Sequence, residues 1–200
     1  MTPSDRMYGV FPWVIVYVMV SVYLALMVMF RSVLLPLKAV VMNTMSLFAA
    51  YGALVLIFQD GLLDSILGPT ATGFTEATVP ILIFAIVFGL SVDYEVFLLS
   101  RIKEHWDETG DNELAVRKGM EQTGRIVTSA ALILVLVAGS FATADIVIVK
   151  ALGLGTAIAI ALDASIVRAL FVPAIMRLMG PANWWAPGFI RRLSVPGLRT

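Results

Sequence analysis

The sequence has no cysteine and a single histidine, His105, and these absences exclude several kinds of chemistry. Without cysteine there are no disulfides, no thiolate nucleophiles and no thiolate-ligated metal sites. The 14 basic and 14 acidic side chains balance to a net charge of zero, and the basic ones are not interleaved with aromatic residues as on a nucleic-acid-binding surface. We therefore expect no metal, no organic cofactor and no nucleic-acid partner.

Long apolar runs dominate the sequence instead. Hydrophobic residues make up 60% of the chain and the mean hydropathy is +0.92. The runs reach about 20 residues, which is the length that crosses a hydrocarbon core of roughly 30 Å. No signal-peptide pattern with a cleavage site opens the chain, so the first run is predicted as a permanent span. The sequence predicts an all-α integral membrane protein, a bundle of five transmembrane helices over residues 11–30, 35–58, 79–100, 126–144 and 150–179.

The basic residues predict the orientation of these spans. Nearly all Lys and Arg fall in residues 31–38, in residues 101–125 and from Arg168 onward, whereas the loop at 59–78 has acids and no base. The positive-inside rule therefore places the basic segments in the cytoplasm. We expect a multi-pass protein of the cell (inner) membrane whose chain starts outside and ends in the cytoplasm.

These assignments divide the chain into two parts. Residues 1–180 form the predicted transmembrane domain, in which 101–125 is a cytoplasmic loop carrying a short surface helix behind a capped turn at 109–112. Residues 181–200 form the predicted cytoplasmic tail. Near its start, Asn183-Trp184-Trp185 is typical of an aromatic anchor at the membrane interface.

The stretch GLSVDYEVFLLSR at residues 89–101 places polar side chains within an apolar span. Asp93 lies about eight residues before Arg101, or on the order of 12 Å inside the end of the span at 1.5 Å per residue. Hydrocarbon disfavours the charged form of a carboxyl group, so an acid at that depth normally has a task, such as taking up and releasing protons. Tyr94 can border the same space, whereas Glu95 points elsewhere and is predicted to make a structural hydrogen bond. Gly89 shares the face of Asp93 and is predicted to allow close helix packing.

Other spans also carry polar groups. Asn43 is predicted at about the depth of Asp93, either facing it or joining helices through a hydrogen bond. Asp163 and Arg168 are five residues apart in the fifth span, about 140° on an α-helix, which is poor for a direct salt bridge, although a long arginine side chain can reach round. Either side chain can pair with another helix. A membrane aspartyl protease using Asp93 and Asp163 is disfavoured, because the local sequence lacks the Gly-x-Gly-Asp pattern.

The string GLSVDYEVFLLSR, with FRSVLLPLKAV before it and GLGTAIAIALDASIVRALFVPA and NWWAP after it, closely resembles the MMPL family of the RND superfamily. The resemblance runs from about Tyr8 to Arg192 and is to the eighth to twelfth spans of such a transporter. It implies a proton-coupled secondary transporter, not an enzyme, that exports lipids, lipid-like or other hydrophobic molecules. It further implies that Asp93 titrates, and that Tyr94 bonds the acid of the opposite repeat, as half of a proton relay.

The departures from the family pattern set further expectations. This chain has five spans where a repeat has six, and it lacks the porter domain and the opposite repeat. We therefore expect a fragment or a gene-split half whose partners are the lipid bilayer, the missing N-terminal repeat with its porter domains and a hydrophobic substrate, with oligomerisation left open. Two alternatives stay open: an RND-type module of a secretion accessory or sterol-sensing protein, and a structural fragment with no function of its own.

Overall fold

The computed structural model describes residues 3–61 and 78–188, and within these ranges the chain forms helices and no strand. The α-helices are α1 (Pro3–Phe30), α2 (Leu34–Leu54), α3 (Thr78–Thr109), α4 (Asn112–Ser140), α5 (Val147–Leu162) and α6 (Val172–Met179). π-Helical segments lie at Val55–Gln59 and Asp163–Phe171, and 3₁₀ turns at Phe141–Thr143 and Gly180–Trp184. Five stretches are long and apolar enough to cross a membrane, the fifth of which joins α5, the second π-segment and α6. The predicted all-α membrane bundle is thus confirmed; most of the loop at 59–78 and the tail beyond residue 188 lie outside the described residues.

The bundle has two apolar cores with polar groups between them. One core gathers Phe30, Leu35 and Leu99 at the end where α1 turns into α2. The other gathers Leu54 and Ile83 toward the opposite end. Outward faces are apolar as well, as expected for helices whose surroundings are lipid rather than water. The buried polar side chains therefore lie between two apolar layers.

The region predicted as a loop at 101–125 is helical almost throughout. Helix α3 continues to Thr109 and α4 begins at Asn112, so the connection is only Gly110 and Asp111. Gly110 has a φ of 65°, which favours glycine, and the Asp111 carboxylate caps α4 by accepting from the backbone N–H groups of Glu113 and Leu114. The predicted capped turn is correct, but the short surface helix predicted behind it is the first part of the 29-residue α4. The loop boundaries were placed where hydropathy falls. A fall in hydropathy ends the apolar part of a helix and not the helix itself.

The start of the predicted tail is part of the bundle. Asn183 is 0% exposed, and its backbone carbonyl accepts a 2.6 Å hydrogen bond from the Ser32 hydroxyl. Its side-chain amide donates to the Met176 carbonyl at 2.7 Å, and its amide oxygen accepts from Lys38 Nζ at 3.3 Å. We call these four residues, together with Asn112, which also donates to the Met176 carbonyl, the Asn183 junction.

The two neighbouring tryptophans differ in their surroundings. Trp184 is buried, stacks on Trp106 with ring centroids 5.3 Å apart and donates to Asn112 Oδ1 at 3.1 Å. Trp185 is 55% exposed. The anchor predicted for residues 183–185 is therefore mostly an internal contact, because the asparagine amide and the indole N–H find partners at the ends of the helices.

Glycines of α5 and its neighbours allow close helix packing. A Cβ added at Gly153 would lie 2.6 Å from the Ala138 carbonyl oxygen, and one added at Gly155 would lie 2.6 Å from Ile83 Cδ1. Both glycines belong to the α5 segment ALGLG, which packs closely against its neighbours for this reason.

We expect Gly153→Ala to destabilise the bundle by about 1–3 kcal/mol, because the added methyl group meets a backbone oxygen that cannot move aside cheaply. Gly139→Ala is the matched control, since a Cβ there has no atom within 4 Å. That variant should be as stable as the parent, or more stable by up to about 1 kcal/mol from helix propensity. Denaturant unfolding in detergent measures both, and equal stability of the two variants would contradict the packing argument.

Candidate functional site

Five buried polar side chains meet between the two apolar cores, and we call them the buried polar cluster. They come from α2, α3 and the second π-segment: Asn43, Ser91, Glu95, Asp163 and Arg168. Each is at most 5% exposed. Polar groups buried this deeply need partners, and the cluster supplies most of them internally.

Ser91 is at the centre of the cluster. Its hydroxyl oxygen lies 2.8 Å from Asn43 Oδ1 and 2.9 Å from Asp163 Oδ2, and Arg168 Nη2 donates to that same oxygen at 2.9 Å. Arg168 Nη2 also donates to the Ser91 carbonyl at 2.6 Å. A hydroxyl group has one proton, so Ser91 donates to either Asn43 or Asp163 at a given moment. The contact therefore has two hydrogen-bonding arrangements.

Asp163 and Arg168 form a direct ion pair, although their spacing on an α-helix is poor for one. Arg168 Nε donates to Asp163 Oδ2 at 2.7 Å, and Nη2 lies 2.6 Å from the same oxygen. The reason is the π-helix at Asp163–Phe171, in which residues five apart are hydrogen-bonded neighbours. Pro173 is the second residue after the π-segment and has no N–H to donate to the preceding turn.

Glu95 is a full member of the cluster. Its Oε2 accepts from Asn43 Nδ2 at 3.2 Å, which is the structural hydrogen bond predicted for it. Asn43 thus faces Glu95 and Ser91 on one side of α3, rather than Asp93 on the other. Lys38 and Arg168 both interact electrostatically with Glu95. The buried acids Glu95 and Asp163 therefore lie near two buried cations.

Three polar atoms of the cluster have no hydrogen-bond partner within the described part of the protein. Glu95 Oε1, Asp163 Oδ1 and Arg168 Nη1 are buried and have no hydrogen-bond partner among the described residues. A cavity of about 10 Å³ is lined in part by Asp163 and Arg168, together with Ser91 and Tyr94, but not by Glu95. That volume is on the order of one water molecule. The cluster therefore has polar atoms, unpaired within the described ranges, next to a space of about one water molecule.

Asp93 lies on a different face of α3. It is exposed and, with Gly89, lines a groove of about 590 Å³ between α1 and α3. No hydrogen bond or ion pair joins Asp93 to another residue within the described ranges. The close packing predicted at Gly89 is not present in this part of the chain, because a Cβ there would have no atom within 4 Å. Both residues face an open side of the bundle.

Tyr94 connects the two regions. The centre of its ring lies 5.3 Å from the Arg168 guanidinium carbon, within cation–π range, and the ring lines the small cavity. Its neighbour Asp93 faces the groove. The charge of Asp93 is thus one residue away from the side chain that touches the buried ion pair.

Two members of this arrangement were not singled out from the sequence. Ser91 is four residues before Glu95, so the pair shares one face of α3, and this spacing was the signal for it. Lys38 was treated only as a marker of topology, but it is 7% exposed and contributes to both the Asn183 junction and the electrostatics of Glu95. No sequence signal distinguishes a buried lysine from one that reaches the interface.

The model of the MMPL family matches residues 9–196 of this chain. The chain is 43% identical over 190 residues to the heme uptake protein MmpL11 of Mycobacterium tuberculosis, covering 95% of this chain and 20% of that protein. It is 43% identical over 192 residues to the trehalose monomycolate exporter MmpL3 of the same organism, with coverage of 94% and 20%. A membrane protein of Streptomyces coelicolor is 44% identical over 181 residues, with coverage of 90% and 26%. The chain spans about a fifth to a quarter of the length of these relatives.

Proposed function

This chain belongs to the MMPL family, and from that premise we propose that it is part of a proton-driven exporter of lipids or other hydrophobic molecules. In this proposal Asp93 and Tyr94 form half of an intramembrane proton relay. The remaining half lies in a second repeat, and porter domains outside this chain bind the cargo. The coupling ion is the proton.

The names of the relatives support a lipid cargo. One is a trehalose monomycolate exporter, and another, from Mycolicibacterium smegmatis and 41% identical over 190 residues, is an exporter of mycolic acid-containing lipids. A heme uptake protein among them shows that the family also has members named for a different apolar cargo. We therefore propose an amphiphilic lipid as substrate and outward export as the direction.

The placement of Asp93 is the observation that carries the proposal. An acid in the middle of a transmembrane helix is costly to insert, by about 2.5–3.5 kcal/mol, unless it meets protein or water. Asp93 has no partner among the described residues and faces an open groove, so the opposite repeat can reach it. Adding a proton there removes a charge from this face and changes which partner the carboxyl group can bond.

Coupling follows if the two states of the transporter differ in their affinity for that proton. Tyr94 offers a physical connection, because its ring touches Arg168 and the two-state hydrogen bond of Ser91 lies beside that arginine. We propose that protonation from the outer side shifts how α3 pairs with the opposite repeat. Release of the proton toward the cytoplasm resets the pairing.

The test is lipid transfer by the transporter isolated from its own membranes and reconstituted in vesicles containing a pH-sensitive dye. We expect transfer to require an imposed proton gradient, and to be accompanied by dye-reported proton entry. With the membrane potential clamped by potassium and valinomycin, collapse of the gradient by a protonophore should stop transfer. Transfer that continues at the same rate after collapse would refute proton coupling, whatever the cargo.

A further inference from the structure

A pocket of mixed character lies at the end of the bundle where α1 turns into α2. It has a volume of about 770 Å³ and is lined chiefly by Arg31, Lys103, Trp106, Trp184 and Trp185. Two of its lining residues are cations and none is an acid. This pocket is separate from the buried polar cluster and from the groove of Asp93.

The cationic wall of the pocket is held in place by the tail. Arg31 has a left-handed backbone with a φ of 49°, which is uncommon for a residue other than glycine. The next two residues are tied down, since Ser32 donates to the Asn183 carbonyl at 2.6 Å and Val33 N–H donates to the Trp185 carbonyl at 3.2 Å. No acid among the described residues pairs with Arg31, so its guanidinium keeps its hydrogen-bonding capacity.

The opposite wall is aromatic and carries the second cation. Lys103 Nζ lies 5.2 Å from the centre of the Trp184 ring, and the lysine pairs with Asp107 one turn further along α3. Trp185 is 55% exposed beside them. Indole rings with one polar and one apolar side are favoured where hydrocarbon gives way to headgroups.

A second, apolar groove begins at the same place. Leu34 lines the pocket and also a groove of about 420 Å³ that runs along α2, past Leu37, Val41 and Met45, against Ile166 and Phe171 of the fifth span. From Leu34 to Ala49, the last residue of α2 that lines it, the groove spans about 22 Å at 1.5 Å per residue. That is more than half of a hydrocarbon core of roughly 30 Å, so an acyl chain of the leaflet at this end fits along it.

We propose that this pocket and groove together bind one anionic glycerophospholipid of the leaflet at that end, which the basic residues predict to be cytoplasmic. The guanidinium of Arg31 bonds the phosphate, since its fork of donors matches phosphate oxygens, and Lys103 adds charge. An acyl chain lies in the groove that starts at Leu34. A soluble phosphate would occupy only the pocket, because it has no acyl chain to place in the groove.

The experiment is native mass spectrometry of the full chain, released from detergent after incubation with equal amounts of phosphatidylglycerol and phosphatidylcholine of identical acyl chains. Arg31→Asn is the main variant, because asparagine accepts a left-handed backbone while the guanidinium and its charge are removed. Lys103→Gln is the second variant, which leaves the α1–α2 turn untouched. Arg117→Ala is the control, an exposed cation of α4 that does not line the pocket.

We expect the parent to retain phosphatidylglycerol in preference to phosphatidylcholine. In each pocket variant the ratio of bound phosphatidylglycerol to bound phosphatidylcholine should fall about fivefold, the effect of one cation near a charged membrane surface. The control should keep it. An unchanged preference in a folded Lys103→Gln or Arg31→Asn variant would overturn the proposal. Displacement of the lipid by millimolar glycerol 3-phosphate would also overturn it, since the site would then bind a free anion.

Discussion

Replacing Asp93 with Asn is expected to reduce proton-driven lipid transfer by at least about 100-fold in the transporter that contains this chain. Asparagine has nearly the same shape and still forms hydrogen bonds, but it cannot bind and release a proton. Because Asp93 is exposed and has no partner among the described residues, the fold should keep its stability within about 0.5 kcal/mol. The measurement is dye-reported proton entry and lipid transfer in the same vesicles.

Two companion variants make that result specific. Asp145→Asn changes an exposed aspartate outside the predicted relay and should leave transfer unchanged. Tyr94→Phe keeps the ring against Arg168 but removes the hydroxyl group, so it should slow proton entry without disturbing the bundle. If Asp93→Asn transfers lipid normally while Glu95→Gln does not, the proton passes through the buried polar cluster and the assignment of Asp93 is wrong.

Replacing Arg168 with Met is expected to destabilise the bundle by about 3–5 kcal/mol, because it leaves the Asp163 carboxylate buried without its cation. The arginine also supplies the two hydrogen bonds that hold Ser91 at the centre of the cluster. Denaturant unfolding of the detergent-solubilised chain measures the loss. Since a buried pair replaced as a whole by apolar side chains is often tolerated, Asp163→Leu combined with Arg168→Met should recover much of the stability.

The control for this prediction is an ion pair on the surface. Arg177 lies 3.5 Å from Glu113, with the two side chains 53% and 74% exposed. Arg177→Met should cost no more than about 1 kcal/mol, because water screens and replaces such a pair. Similar losses for Arg168→Met and Arg177→Met would mean that burial of the Asp163 pair has no energetic importance.

The spans could be predicted because an apolar helix must have a minimum length to cross the bilayer. The five stretches found in the described residues meet that length. The polar contacts were harder to predict, since they depend on the rotation of each helix about its axis and on local departures from α-helical geometry. Asp163 and Arg168 were judged on 100° per residue, and the π-segment changes that angle. For Asn43 the sequence left two alternatives open, and the structure has the second, a hydrogen bond that joins α2 to α3. The choice could not be made from the sequence, because depth follows from counting residues whereas helix rotation follows from packing.

The ends of the helices were predicted less well for a related reason. Charged residues after Arg101 signal the membrane surface, but they also form good helices in water, so hydropathy could not show that α3 continues to Thr109. Asn183 and Trp184 had the composition of an interfacial anchor. Their burial depends on Ser32 and Asn112, which are far away in the sequence and give no local signal.

The Asn183 junction also sets an order of events during synthesis. Ser32 and Asn183 are 151 positions apart, so a ribosome adding 5–20 residues per second delivers the second partner roughly 8–30 s after the first. Throughout that interval the Ser32 hydroxyl lacks its acceptor, the Asn183 carbonyl, and has, among the described residues, only the local hydrogen bond that it accepts from the Leu35 N–H. The junction therefore closes only after the fifth span has been synthesised.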